Sequence, residues 1–389
     1  MHRVRILLDA VGIRGHGGAS LLSELLASCA PAHPEWDWHV FLLARRAREF
    51  DVCTENKNIR TYEVGYADSP LLRLGWLNSD LANRSKELGI DVVFSFANLA
   101  PIHQKKPHVI YCHQPNAFFE LGNRRRSLPE KWRMRVTRTL TLAGARHSRA
   151  IIVQTEAMKA GVLSLNPACD GKVHVIPGGF SKQSCEPGCF YGRVPAIPAS
   201  NGPNLIYVAH PSEHKNHETL IRAMVHVVAE FPSARLLLTL DPNRMDNRRY
   251  ASLVAQLKGL VEKLSLSEAV LFIGILTPRQ VACALRHSDL SVFPSLSESF
   301  GLPLVESLAA SCPLAASDLP FAHEIAGDAG EYFDPLCERS ITRVILRILR
   351  SEGLRRELAS AAQSRSHMFS YDSIATRVCN VIEHCRAAG

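Results

Sequence analysis

Short runs of β-branched, leucine and aromatic residues recur along the chain, separated by longer stretches whose apolar positions return every three to four residues. In the first half the runs are 4–8, 38–43, 92–95, 108–111, 151–154 and 173–176. Each is strand-sized and mostly apolar, as expected of strands covered on both faces. Alternation of such strands with helices predicts a parallel sheet with helices on both sides. Between Pro177 and Pro203 the pattern stops, and Gly178, Gly179, Pro187, Gly188, Gly192, Pro195, Pro198 and Gly202 give the stretch a linker composition. A second alternating series follows at 205–209, 234–239, 270–273, 290–293 and 314–316, and helical periodicity runs from 340 to 388. The expected organisation is a first Rossmann-like domain over 1–180, a linker over 181–203, a second Rossmann-like domain over 204–365, and a closing helix over 366–389 that packs back toward the first domain.

Length agrees with that division, because 389 residues exceed one ordinary core. With 46% hydrophobic and 21% charged residues the chain has enough apolar material to bury, which excludes long disorder. No apolar run is long enough to cross a bilayer. His2, Arg3 and Arg5 before Ile6, Leu7 and Leu8 mimic the start of a signal peptide, but Asp9 interrupts the run, so a first buried strand and a cytoplasmic chain are expected. Eleven cysteines, an odd number without a C-x-x-C pair, read as buried thiols and not as a disulfide framework or zinc site.

The formal charge of +8 is concentrated. Residues 124–149 hold nine Lys or Arg against one acid, Glu130, an excess of eight that equals the surplus of the whole chain. Trp132, Met134, Val136, Leu140 and Leu142 are interleaved with them, as in a basic amphipathic segment lying on an anionic membrane surface. That would make the protein peripheral on the inner face of the plasma membrane; the alternative is a solvated helix face. Nucleic acid is not an expected partner, because no binding module accompanies the charge.

The stretch 289–335 carries the most chemistry. A strand ends near Phe293, a polar loop follows, and Pro303 stands where a first helical turn should start. Main-chain N–H groups of Phe300, Gly301 and Leu302 would then face out of a helix N-terminus, which attracts phosphate. Glu298 and Glu306 bracket that point, and carboxylates beside a phosphate suit hydrogen bonds from sugar hydroxyls. Residues 204–224 repeat the logic, with His210 to Asn216 as the loop and Lys215 beside the phosphates, where an ammonium could stabilise the charge of a departing diphosphate. No metal or other cofactor is then expected, in keeping with the absence of a D-x-D pair.

The nine residues from Glu298 to Glu306 resemble the E-x7-E motif of glycosyltransferase family 4, and Lys215-Asn216 and 317–324 extend the resemblance through the C-terminal half. The family implies an α/β GT-B fold, with two Rossmann-like parallel-sheet domains facing a central cleft, and a retaining transfer. Carried over residue by residue, Glu306 would bind ribose hydroxyls, Glu298 the donor sugar, the Phe300 and Gly301 amides the diphosphate, and Lys215 its charge. Two positions depart from the family pattern. Ala209-His210 stands where many members have Gly-Arg, so a fixed positive charge is absent or comes from protonated His210, and Pro177-Gly178-Gly179 replaces a Pro-Asn-Gly turn.

In the first half, Gly17 and Gly18 belong to a Gly-rich segment, 12–20, that resembles the family's donor-facing loop; by spacing alone it is a strand-to-helix turn. His113, just after a strand, resembles a histidine lining the family's acceptor side. The resemblance implies a hexosyltransferase, a mannosyltransferase among the candidates, that moves sugar from a GDP- or UDP-sugar to a lipid-linked or oligosaccharide acceptor in bacterial surface polysaccharide or lipopolysaccharide synthesis. The rival readings are a nucleotide-sugar epimerase and a non-catalytic nucleotide-sugar sensor or scaffold.

Overall fold

The structure, a computed structural model, describes residues 3–13, 16–44, 56–67, 70–96, 98–102, 104–113, 128–180, 201–245 and 247–387. The chain divides into two compact units, Met1–Gly179 with Ser370–Gly389, and Phe180–Phe369. Most of the Pro/Gly-rich linker, 181–200, and the arginines at 124–126 lie outside the described residues.

Unit 1 is built on β1 (Val4–Asp9), β2 (Trp36–Leu43), β3 (Ile59–Val64), β4 (Val92–Ser95), β5 (His108–Cys112), β6 (Ala150–Val153) and β7 (Val173–Val175). Their order is β3-β2-β1-β4-β5-β6-β7, all parallel. Its helices are α1 (His16–Ala32), α2 (Pro70–Gly75), α3 (Leu81–Glu87), α4 (Leu128–His147) and α5 (Glu156–Leu165), with a π turn at Trp76–Asp80 joining α2 to α3. The period of two along a strand assigns side chains to faces. Ile6 and Leu8 join a core with Leu22 and Leu25 of α1, while Leu7 joins Phe41, Trp76 and Leu77 on the other side.

Unit 2 holds β8 (Asn204–Tyr207), β9 (Arg235–Leu238), β10 (Val270–Phe272), β11 (Leu290–Phe293), β12 (Leu314–Ser317) and β13 (Gly330–Phe333). These run parallel in the order β10-β9-β8-β11-β12-β13. Around them lie α6 (His217–Glu230), α7 (Arg248–Lys263), α8 (Pro278–Arg286), α9 (Leu302–Ala309), α10 (Pro320–Ala326), α11 (Glu338–Arg350) and α12 (Glu352–Ser366). Side-chain caps start several of them. Thr277 and Gln280 form a capping box on α8, and Asn247 and Ser351 cap α7 and α12. The last helix, α13 (Tyr371–Ala387), belongs to unit 1, where Ile374, Val378 and Ile382 share the core of α1. Burying each such side chain contributes on the order of 2 kcal/mol.

Two strands, β3 and β13, fall outside the runs read from the sequence. Both are edge strands. Arg60, Thr61 and Glu63 of β3 face water, and Gly330 and Glu331 open β13, so neither carries the apolar run of a central strand. In each sheet the strand order reverses once, at β1/β4 and at β8/β11, and ligands of open α/β sheets bind at the carboxyl ends of strands at such a point.

Candidate active site

At the carboxyl end of β8 the chain turns through a 3-10 turn, Glu213–Lys215, and Asn216 takes a left-handed conformation at φ 57° before α6. Asparagine is the side chain that tolerates this, and here it also has work to do. Its Nδ2 donates to the carbonyls of Pro294 at 3.1 Å and Pro335 at 2.7 Å, while its Oδ1 accepts from Thr219 Oγ1 at 2.6 Å. The Leu296 amide donates to the His214 carbonyl at 2.7 Å, and the Tyr207 hydroxyl donates to the Lys215 carbonyl at 2.7 Å and lies 3.1 Å from Ser295 Oγ. The loops after β8 and β11 are therefore stitched together by polar groups buried between them.

This stitching brings Lys215 Nζ within 2.6 Å of Glu298 Oε1. The two side chains keep 14% and 12% of their surface exposed, so the pair stands at the edge of water. The ammonium also sits 5.5 Å from the centroid of the Phe293 ring. Lys215, expected beside phosphates, is thus neutralised by the very carboxylate expected to meet the donor sugar.

The loop ends at Gly301, φ +92°, which precedes Leu302 and Pro303 in the first turn of α9. A Cβ there would lie 3.1 Å from Leu304 Cδ1 and would be strained by the backbone as well. The Phe300 side chain is buried against Phe369, with ring centroids 5.9 Å apart, so its contribution to a ligand would come from the main chain. Glu306, one turn further, is partly exposed and pairs with no side chain among the described residues. Burial pushes its carboxyl up to about 7. His210 is exposed, with Nδ1 3.1 Å from the Pro211 carbonyl and its ring 5.1 Å from that of Tyr250. His217, which heads α6, packs on Tyr207 and is held neutral, its imidazole lowered to about 3 by burial and by nearby Lys215.

In unit 1 the corresponding strand ends hold His113, Gly17 and Gly18. The His113 amide donates to Asn98 Oδ1 at 3.0 Å, its ring stacks on Phe96 at 5.4 Å, and burial lowers the imidazole to about 4. It is neutral near pH 7, and its Nδ1 has no hydrogen-bond partner among the described residues. A Cβ on Gly18 would lie 3.2 Å from His113 Nε2, so the structure brings these two residues together. Gly17 and Gly18 stand in the first turn of α1, not in a loop, because the helix begins at His16. Gly15, in the same Gly-rich segment, lies outside the described residues.

Sequence reading missed a buried cluster beside them. Asp9, the last residue of β1, accepts from Arg73 Nη1 at 3.0 Å and Nη2 at 2.6 Å, from Trp76 Nε1 at 3.1 Å and from the Val11 amide at 3.3 Å. An acid closing an apolar strand was the available signal. Its partner, 64 residues on, carried none. Cavities of about 650 and 550 Å3 lie elsewhere, neither lined by any of the candidate residues. Among the described residues no group of three or more His, Cys, Asp or Glu is placed to hold a metal ion. Of the cysteines described, all but Cys337 are buried thiols.

Residues 195–365 match the family model for glycosyl transferases group 1, and residues 23–183 that for glycosyltransferase family 4. The chain belongs to glycosyltransferase family 4. Curated relatives include the MMP alpha-(1->4)-mannosyltransferase of Mycolicibacterium hassiacum, 26% identical over 61% of this chain and 55% of that protein. The phosphatidyl-myo-inositol mannosyltransferase of Mycolicibacterium smegmatis is 28% identical over 45% of this chain and 43% of its own length. The chain thus spans about half the length of these relatives. Among solved structures, sucrose-phosphate synthase from Thermosynechococcus elongatus aligns with TM-score 0.78 and 19% identity over 100% of both chains. WaaG, a glycosyltransferase involved in lipopolysaccharide biosynthesis, aligns with TM-score 0.71 and 15% identity over 97% of this chain and 99% of that one. These likenesses show the GT-B fold of two parallel α/β units.

Proposed function

We propose that this chain transfers a mannosyl residue, with retention, from a nucleoside-diphosphate sugar to a hydroxyl of a glycolipid or polysaccharide acceptor. One observation carries the reading: a stitched Lys215–Glu298 pair at the switch point of unit 2, directly before the N-terminus of α9. The diphosphate lies against the amides of Phe300, Gly301 and Leu302, where helix N–H groups favour negative charge. Lys215 exchanges Glu298 for the diphosphate and stabilises the charge that grows as the glycosidic bond breaks. Glu298, released, accepts from a sugar hydroxyl, and Glu306 accepts from the ribose. His210 adds positive charge when protonated. Neutral His113, with Gly17 and Gly18 near it, takes the acceptor hydroxyl. No metal ion takes part, because Lys215 and the helix amides meet the leaving-group charge.

The sugar is read from the relatives, which are named as mannosyltransferases, and so is the glycolipid or O-antigen setting. A structural neighbour was solved with UDP-glucose, so the base is left to GDP or UDP. Association with an anionic membrane rests on α4, where Trp132 is 68% exposed and Arg135 faces water. No helix among the described residues is long and apolar enough to cross a membrane.

The test is thermal stability against UDP, GDP, ADP and their sugars, with Lys215→Ala and Glu306→Ala alongside, since a ligand that binds only the folded state raises the melting temperature. One nucleotide series should stabilise the wild type and neither variant. No shift at saturating nucleotide overturns the donor site. Incubation with donor alone must leave the sugar's configuration unchanged, or the reading becomes an epimerase.

A further inference from the structure

Unit 1 contains a cavity of about 650 Å3 on the outer edge of its sheet, between edge strand β3 and the π turn that leads into α3. That volume lies within the range of small-molecule sites. Its floor is rigid. Tyr62 stacks on Phe41 at 4.7 Å, Phe41 packs on Trp76 at 5.3 Å, and Trp76 is fixed by its bond to Asp9. A π turn is rare, and such turns concentrate at functional sites. This one begins at Trp76 in the floor and ends at Asp80 in the wall.

The walls differ in chemistry from the candidate donor site. Among the described residues of the lining, Glu63, Asp80 and Glu87 face the cavity with Arg84 the one base, a net charge of about −2 on a chain of +8. Arg84 is engaged with Glu87 at 3.2 Å, and the Tyr66 hydroxyl donates to Asp80 across the groove. Such a surface repels phosphates and carboxylates. It offers what a neutral polyol needs: carboxylates that accept from paired hydroxyls, the Asn83 amide that both donates and accepts, and the Tyr66 ring, 43% exposed, on which a sugar's C–H face can lie.

We propose that this groove of unit 1 is a second carbohydrate site, built from residues other than those of the candidate donor site and taking a neutral oligosaccharide. It would hold a glycan chain, whether acceptor or product, while a different part of that chain reacts. The choice of probe rests on the glycosyltransferase reading, and the groove itself does not.

The experiment is saturation-transfer NMR with calorimetric titration of the full chain, using neutral linear α-mannotetraose and its sulfated form. Wild type and Glu306→Ala should bind the neutral probe alike, and the exposed double variant Asn83→Ala with Glu87→Ala should bind it about tenfold more weakly, as the loss of one or two hydrogen bonds implies. Unchanged melting temperatures establish that the variants fold. The proposal is overturned if no neutral probe binds at about 10 mM, if the double variant binds as well as wild type, or if the sulfated probe binds better. Loss in Glu306→Ala with the double variant intact also overturns it, by placing the sugar in the donor site. Failure of the donor reading appears separately, as loss of nucleotide binding.

Discussion

Each unit places an acid–base ion pair at the carboxyl end of its sheet, near the point where strand order reverses, and the two pairs live in different media. Asp9 and Arg73 of unit 1 are 0% and 4% exposed, joined by both arms of the guanidinium and with two further hydrogen bonds, from Trp76 and Val11, arranged around the carboxylate. Lys215 and Glu298 of unit 2 are closer to water and carry few partners beyond each other. A buried pair gives little net stability, because desolvation offsets its attraction, but it cannot lose one partner cheaply. A pair at the water's edge can exchange partners. The same chemistry is thus sealed in one unit and open to exchange in the other.

The sharpest way to break the comparison is Asp9→Ala, which leaves the Arg73 guanidinium buried and unpaired. A loss of about 3–5 kcal/mol is expected in urea unfolding, and Asp9→Leu combined with Arg73→Met should recover part of it. Equal stability of Asp9→Ala and wild type would mean the pair is not a lock. Next in size is Lys215→Ala, which should leave unfolding nearly unchanged yet lower kcat about 100-fold to 1000-fold, the effect of removing one group that meets developing charge. A kcat within about threefold of wild type would remove Lys215 from the chemistry.

Glu306 tests what desolvation does in unit 2. Its folded value of about 7 lies above the ordinary carboxylate value of 4.5, so between these the native state holds a proton that the unfolded chain has released. Stability then falls as pH rises from 4.5 through 7, and Glu306→Gln should gain on wild type across that window. Partial contact with solvent trims the gain to on the order of 2 kcal/mol at pH 8, vanishing at pH 4. A pH-independent difference in unfolding free energy would refute the burial argument. The smallest effect belongs to Gly18→Ala. Alanine suits a helix by about 1 kcal/mol, which roughly offsets pressing its Cβ on Ile13 and His113. Melting should barely change, while acceptor KM should rise about threefold to tenfold. An unaltered KM would detach this corner of unit 1 from the acceptor.

Which parts were legible follows the same physics. The central strands announced themselves because both faces are covered, and α13 because its apolar face repeats every turn. Edge strands β3 and β13 did not, since they carry arginine, glutamate or glycine where the edge strands β7 and β10 keep a short apolar run. In unit 2 the loop before α9 was legible because a strand-to-helix turn of this shape needs glycine and proline at fixed places, as at Gly301 and Pro303. In unit 1 the partner of Asp9 was invisible, because nothing in the residues around Arg73 distinguishes a buried arginine from a solvated one.

The sequence by itself determined two α/β series, the punctuation between them and the residue types gathered at 289–335, since periodicity and turn chemistry are local properties of the chain. The tertiary structure alone decided which charges meet. Lys215 finds Glu298 across 83 residues, Asp9 finds Arg73 across 64, and His113 loses its proton to burial beneath Gly18. Pairing and desolvation depend on what lies a few ångströms away in space, and a linear order of residues does not hold that distance.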